Sequence, residues 1–168
     1  MPIFHKHKKT IARPGVNISF NLKNLPAIAY VKDHGEELLT DFDKKIRSKL
    51  NNLLIKATDE GWSYKRTAEA ITEKFPNIKY DQAVQTAIYV TGNAFEQSNL
   101  SVAHEMQSAG LQMVKYWSTA GDDHVCENCK MNENAGWISL NSPFPSGHQR
   151  PLAHDGCRCD LKTKRLAS

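Results

Sequence analysis

What this chain of 168 residues lacks already limits what it can be. No stretch approaches the roughly 20 consecutive apolar residues that a membrane-spanning helix needs. The N-terminus, MPIFHKHKK, is charged but has no apolar signal-peptide core. A soluble protein outside the usual secretory route, with no membrane partner, is therefore expected. A glycine-rich phosphate loop, a G-x-S-x-G elbow and an H-E-x-x-H helix are all missing, which removes the commonest signatures of nucleotide binding, ester hydrolysis and zinc proteolysis. Internal repeats and low-complexity tracts are absent too. Acidic residues are missing from positions 1–32, which carry Lys6, Lys8, Lys9, Arg13, Lys23 and Lys32, so this segment is +6 and the remainder of the chain is −2. Basicity concentrated in an arm suits a polyanion or an acidic protein surface, with Lys6, Lys8, Lys9 and Arg13 as the candidate contacts.

What is present reads as an α+β chain in three parts: a basic, partly extended arm (1–32), a helical region (33–110) and a small β module (111–168). In the arm, Val16, Ile18 and Phe20 alternate as in a strand. Leu25, Ala27, Ile28, Tyr30 and Val31 follow, but Pro14, Gly15 and Pro26 argue against helix interior. From Glu36 to about Ala57, apolar residues at spacings of three and four (Leu39, Phe42, Ile46, Leu50, Leu53, Ala57) predict a helix ended by Gly61. A shorter helix is expected from Ser63 as N-cap to Phe75, before Pro76. A long one opens at Asp81, presents Val84, Ile88, Phe95, Val102 and Met106, and closes at Gly110, with a break near Gly92 as an alternative. Short runs at Leu111–Trp117 and Trp137–Leu140, separated by turn-rich stretches, predict a small sheet with long loops.

All four cysteines fall in the last third, as Cys126-x-x-Cys129 and, after 27 intervening residues, Cys157-Arg-Cys159, with His154 three residues before the second pair. A C-x-x-C turn can aim two thiolates at a common centre about 2.3 Å from each sulfur, and a second pair or a histidine completes the tetrahedron that zinc prefers. If residues 157–159 are extended, both sulfurs of that pair face one ion. Five candidate ligands, Cys126, Cys129, His154, Cys157 and Cys159, thus surround four positions, with four thiolates as the first choice and His154 as the substitute. Two disulfides, or free buried thiols, are the alternatives. Asp122, Asp123, His124 and Asp155 lie near enough in sequence to serve a catalytic metal. However, four protein ligands leave no open position for water, so no enzymatic role is expected. Trp62, Trp117 and Trp137 are expected to be core or interface anchors.

The segment Trp117-x-Thr119-x-x-Asp122-x-x-x-Cys126-x-x-Cys129, followed by Pro151-x-x-His154-x-x-Cys157-Arg158-Cys159, resembles the signature of the phage Mu protein F-like minor head proteins, the phage head-morphogenesis family. The resemblance spans roughly residues 83–163 and includes the long helix before the Trp117 strand. It departs at Asn134-Ala135-Gly136, where family members often have Asp-Gly. The family positions carry over to Trp117, Asp122, Cys126, Cys129, His154, Cys157 and Cys159. The resemblance implies a structural minor head protein of a tailed phage. Such a protein would be made in the host cytoplasm, be present in several copies at the portal vertex or head interior, and contact the portal protein, the major capsid protein and packaged DNA. Zinc would then be a structural staple for a β region too small to build a large core of its own. A zinc-containing nucleic-acid-binding protein or nuclease is the alternative from another class.

Overall fold

The computed structural model describes residues 24–167. The arm contacts Lys6, Lys8, Lys9 and Arg13 and the alternating Val16, Ile18 and Phe20 lie outside the described residues. The chain divides between Thr91 and Gly92 into two compact units.

The first unit begins with α1 (Leu25–His34), where extended or broken chain is expected from Pro26. Proline is compatible with the first turn of a helix, because the N–H it lacks has no intrahelical partner there. The Asn24 side chain caps this start by accepting from the N–H of Ala27 at 3.2 Å. Ala27, Ile28 and Val31 are then buried. A 3-10 turn (Gly35–Leu38) follows, and α2 starts only at Lys44 and runs to Glu60. The expected single helix from Glu36 is thus broken. Asp43 caps α2 by accepting from the N–H of Lys45, while the Arg47 guanidinium donates to the carbonyls of Thr40 and Phe42 at 2.8 Å each. Those carbonyls are held in the turn by a side chain rather than by the helical ladder. Of the expected face, Leu39, Leu50, Leu53 and Ala57 are buried; Phe42 and Ile46, at the break, are half-buried. Gly61 ends α2 in the left-handed conformation at φ 66°. Next comes α3 (Tyr64–Lys74), with Ser63 as N-cap as expected.

The long helix α4 (Tyr80–Ser108) continues without interruption past Gly92. Its buried positions differ from the expected stripe. Ala83, Ala87, Val90, Ala94, Phe95, Leu100 and Ala103 are buried, and Val84, Ile88, Val102 and Met106 are only half-buried. Small side chains permit close backbone approach, so the alanine stripe packs inward although it is the less hydrophobic one. The stretch 90–96 is buried all round and carries Asn93 and Glu96.

In the second unit, β1 (Met113–Ser118), α5 (Glu127–Asn134), β2 (Ile138–Ser139) and β3 (Asp160–Arg165) follow α4. The sheet is antiparallel with order β2-β1-β3. Val114 lies opposite Ser139 on one side and opposite Lys164 on the other. Trp117, fully buried, packs edge-on against Phe144 at 5.1 Å between ring centroids. Around them gather Leu100, Ala103, Met113, Leu140 and Leu161, with Cys129, Cys157 and Cys159 in the same cluster. The sulfurs are therefore part of this core. Among the described residues, no helix is long and apolar enough to cross a membrane.

Candidate metal centre

Each half of the cysteine constellation is delivered by a different local device. Cys126 is the N-cap of α5: its backbone is extended and its sulfur accepts from the N–H of Cys129 at 3.4 Å. The C-x-x-C spacing thus becomes a helix entry, with both thiols on the same side of the first turn. In the second half, Cys157 and Cys159 are buried and Arg158 between them is exposed, the alternation expected of extended chain. His154 joins through the turn before it, where the N–H of Cys157 donates to the carbonyl of His154 at 3.1 Å.

These devices bring all five candidate ligands together as two overlapping groups, Cys126–Cys129–His154 and Cys129–Cys157–Cys159, each within 4.8 Å, with Cys129 common to both. The His154 Nε2 lies 3.2 Å from the Cys126 sulfur and 3.8 Å from that of Cys129, and the Cys129 and Cys157 sulfurs are 3.9 Å apart. Bonds of about 2.3 Å around a tetrahedral ion would separate two sulfurs by about 3.8 Å. All four cysteines are free thiols, so the disulfide alternative is not realised.

Two further observations show that the donor set fits a metal. The His154 Nδ1 faces the carbonyl of Asp155 at 2.7 Å. A carbonyl only accepts, so a ring proton sits on Nδ1 and Nε2 is the atom that faces the sulfurs and would ligate a metal. The same carbonyl is the main reason the His154 pKa is raised. The second observation is the Trp117 indole N–H, buried and without an ordinary hydrogen-bond acceptor. The charged form of Cys159 is what it can stabilise. A thiolate held by a cation would give that buried donor the acceptor it lacks.

The electrostatics of the thiols are uneven. Burial pushes Cys129 up to about 12. Hydrogen bonding from Cys159 pulls Cys157 down to about 5 and, reciprocally, raises Cys159. At Cys126 burial acts upward, but the Cys129 N–H and thiol and the His154 ring more than offset it, and the net shift is downward. A divalent cation bound among these sulfurs would displace their protons.

The pocket at this cluster also includes Ala120, His124, Val125 and Gly156. Of the acidic residues near the cysteines, Asp122 is engaged by Arg158 through two hydrogen bonds of 2.7 Å. These hold its carboxyl down to about 2. Sequence reasoning gave Asp122 a family position but no partner. Arg150, also unassigned, reaches from the loop before His154 to α4, donating to Gln97 Oε1 and Asn93 Oδ1 at 2.9 Å each. Lys115, fully buried on β1, donates from Nζ to the backbone carbonyl and the side-chain Oε1 of Gln149 at 2.9 and 2.7 Å. Only the Arg158 position between two cysteines signals such a role in the sequence. The α4 partners of Arg150 and the Gln149 partner of Lys115 are 34 or more residues away and have no local signature.

With this geometry in view, the comparison with known families is specific. The family model described as Phage Mu protein F like protein matches residues 48–162, more than half of the chain, and the chain belongs to that family. It is a phage head-related protein, as the resemblance of its Trp, Asp, Cys and His positions implies. No curated protein and no solved structure matches it.

Proposed function

From membership of that family, we propose that the protein is a structural minor head protein of a tailed bacteriophage. It acts in head morphogenesis, in several copies, at the portal vertex or capsid interior. The observation that supports this reading is that the family match, over residues 48–162, covers Cys126, Cys129, His154, Cys157 and Cys159, which the fold gathers into two overlapping groups. The portal protein and the major capsid protein are its partners. The basic arm, through Lys6, Lys8, Lys9 and Arg13, makes salt-sensitive contacts with packaged DNA or with an acidic face of the head. The residues ahead of α1 act as this arm, α1 to residue 110 as a helical body and 111–168 as the stapled module.

The metal is zinc in a structural role. Cys126, Cys129 and Cys157 supply three ligands, and His154 or Cys159 supplies the fourth. Zinc, when bound, adds the folding free energy that a sheet of three strands cannot draw from its own core. Cys129, common to both close groups, is the central ligand.

Co-expression with the portal and capsid proteins tests this directly. The full chain is expected to co-purify with portal rings and to carry about one zinc per chain. Deletion of residues 1–13 is expected to leave the fold intact and impair head assembly. Divalent-metal-dependent cleavage of plasmid DNA, abolished by His154→Ala, would overturn the structural reading in favour of a nuclease.

A further inference from the structure

The ion pair between Asp122 and Arg158 occupies an unusual place. Arg158 is flanked on both sides by cysteines of the cluster, and Asp122 stands four residues before Cys126. Their contact is a fork on a fork: Nη1 donates to Oδ2 and Nη2 to Oδ1, each at 2.7 Å, across 36 residues of chain. Asp122 also closes the turn that leads to the first pair. Its Oδ1 accepts from the N–H of His124 at 3.0 Å, and its carbonyl accepts from the N–H of Val125 at 3.3 Å.

The geometry points to Asp122 and Arg158 as a clasp that fixes the two cysteine pairs at the separation a metal requires, so that they are positioning residues of the metal centre rather than a surface ion pair. The inference rests on the metal-binding reading of the cluster. It follows from what the guanidinium constrains. With Arg158 held outward, Cys157 and Cys159 on either side are directed inward, which is the burial observed. With Asp122 held at the same point, the turn carrying Cys126 is anchored to the second pair, and bringing distant chain segments together need not be repeated at each metal encounter. Planar, bidentate pairing also sets orientation as well as distance, which a lysine in place of Arg158 cannot do.

Both side chains are close to half exposed. An ordinary ion pair at such a position contributes little to stability, so the two roles separate experimentally. The full chain is titrated with Co²⁺, whose visible absorption reports tetrahedral thiolate ligation, and Zn²⁺ affinity is read by competition with a chelator. Asp122→Asn and Arg158→Gln are each expected to weaken affinity roughly 10–100-fold, the range for residues that orient metal ligands. Far-UV circular dichroism should remain that of the wild type. The swapped pair, Asp122→Arg with Arg158→Asp, should recover most of the loss. Arg158→Lys, which keeps the charge and loses the fork, should behave as Arg158→Gln does. Wild-type affinity in the single variants, or in Arg158→Lys, would overturn the clasp while leaving the metal reading intact. A wild-type chain that binds neither Co²⁺ nor Zn²⁺ would overturn both.

Discussion

At the residue scale, two buried polar groups give sharp tests of the packing. Asn51 on α2 donates from Nδ2 to the carbonyl of Val31 at 3.2 Å, tying α2 to α1, and its Oδ1 has no hydrogen-bond partner. A β-carbon added at Gly35 would come within 2.0 Å of that oxygen. Gly35 is therefore glycine for space, since its φ of −60° is open to any residue. Gly35→Ala should destabilise the first unit by about 1–3 kcal/mol, the usual cost of overpacking, measurable by urea denaturation. Glu96 is the second group. Burial raises its pKa to about 7, although the N–H of Leu161 donates to its Oε2 at 2.9 Å and acts in the opposite direction. The folded state then holds a proton that the unfolded chain releases near 4.5. Stability should consequently fall as pH rises from about 4.5 to about 7 and level off above that range. Glu96→Gln should flatten this slope in melts taken across the range. Neither feature is legible in the sequence, because the space at Gly35 is set by Asn51 and the environment of Glu96 includes Leu161, partners with no local signature.

At the scale of elements, the sequence is most legible where local chemistry decides. Ser63 and Gly61 punctuate their helices as their residue types dictate, the continuous α4 stands where periodicity puts it, and the strand around Trp117 falls in one of the short runs bounded by turn-rich stretches. It is least legible where partners are distant. The strand β3, with sequence DLKTKR, has one buried residue, Leu161, and is a strand because β1 pairs with it along its whole length. The helix α5 hides behind its cysteines, since a sulfur is an unfamiliar N-cap. The loop that carries His154 is tied to α4 by Arg150, through side chains on successive turns of the helix. Arg150→Ala removes charge-assisted hydrogen bonds to Gln97 and Asn93 and should cost about 2–3 kcal/mol in the second unit, observable as lost hydrogen-exchange protection in α4 and β1.

At the scale of the whole molecule, the two units predict two responses to metal removal. The first has Leu50, Leu54 and Ile71 fully buried and contains no cysteine. The second places three of its four cysteines in its core. A chelator, or Cys126→Ser, should therefore unfold residues 92–168 selectively, lowering the melting temperature of that unit while protection in α2 and α3 persists. The gathering of the Cys/His cluster is legible from spacing alone because the cysteines stand in two close pairs. What spacing did not reveal is that Cys129 is central to both groups, since that depends on how α5 and the loop at 157–159 approach one another.

The register of the sheet carries a consequence for biosynthesis. Asp160, the first residue of β3, follows Cys159 directly and lies opposite Ser118, while Arg165 lies opposite Met113. The central strand therefore keeps one open edge until residues 160–165 have been synthesised and have paired with it, and an unpaired edge invites association with other chains. A polypeptide stopped at Cys159 would retain every sulfur yet expose that edge, and should accumulate in inclusion bodies whatever the metal supply.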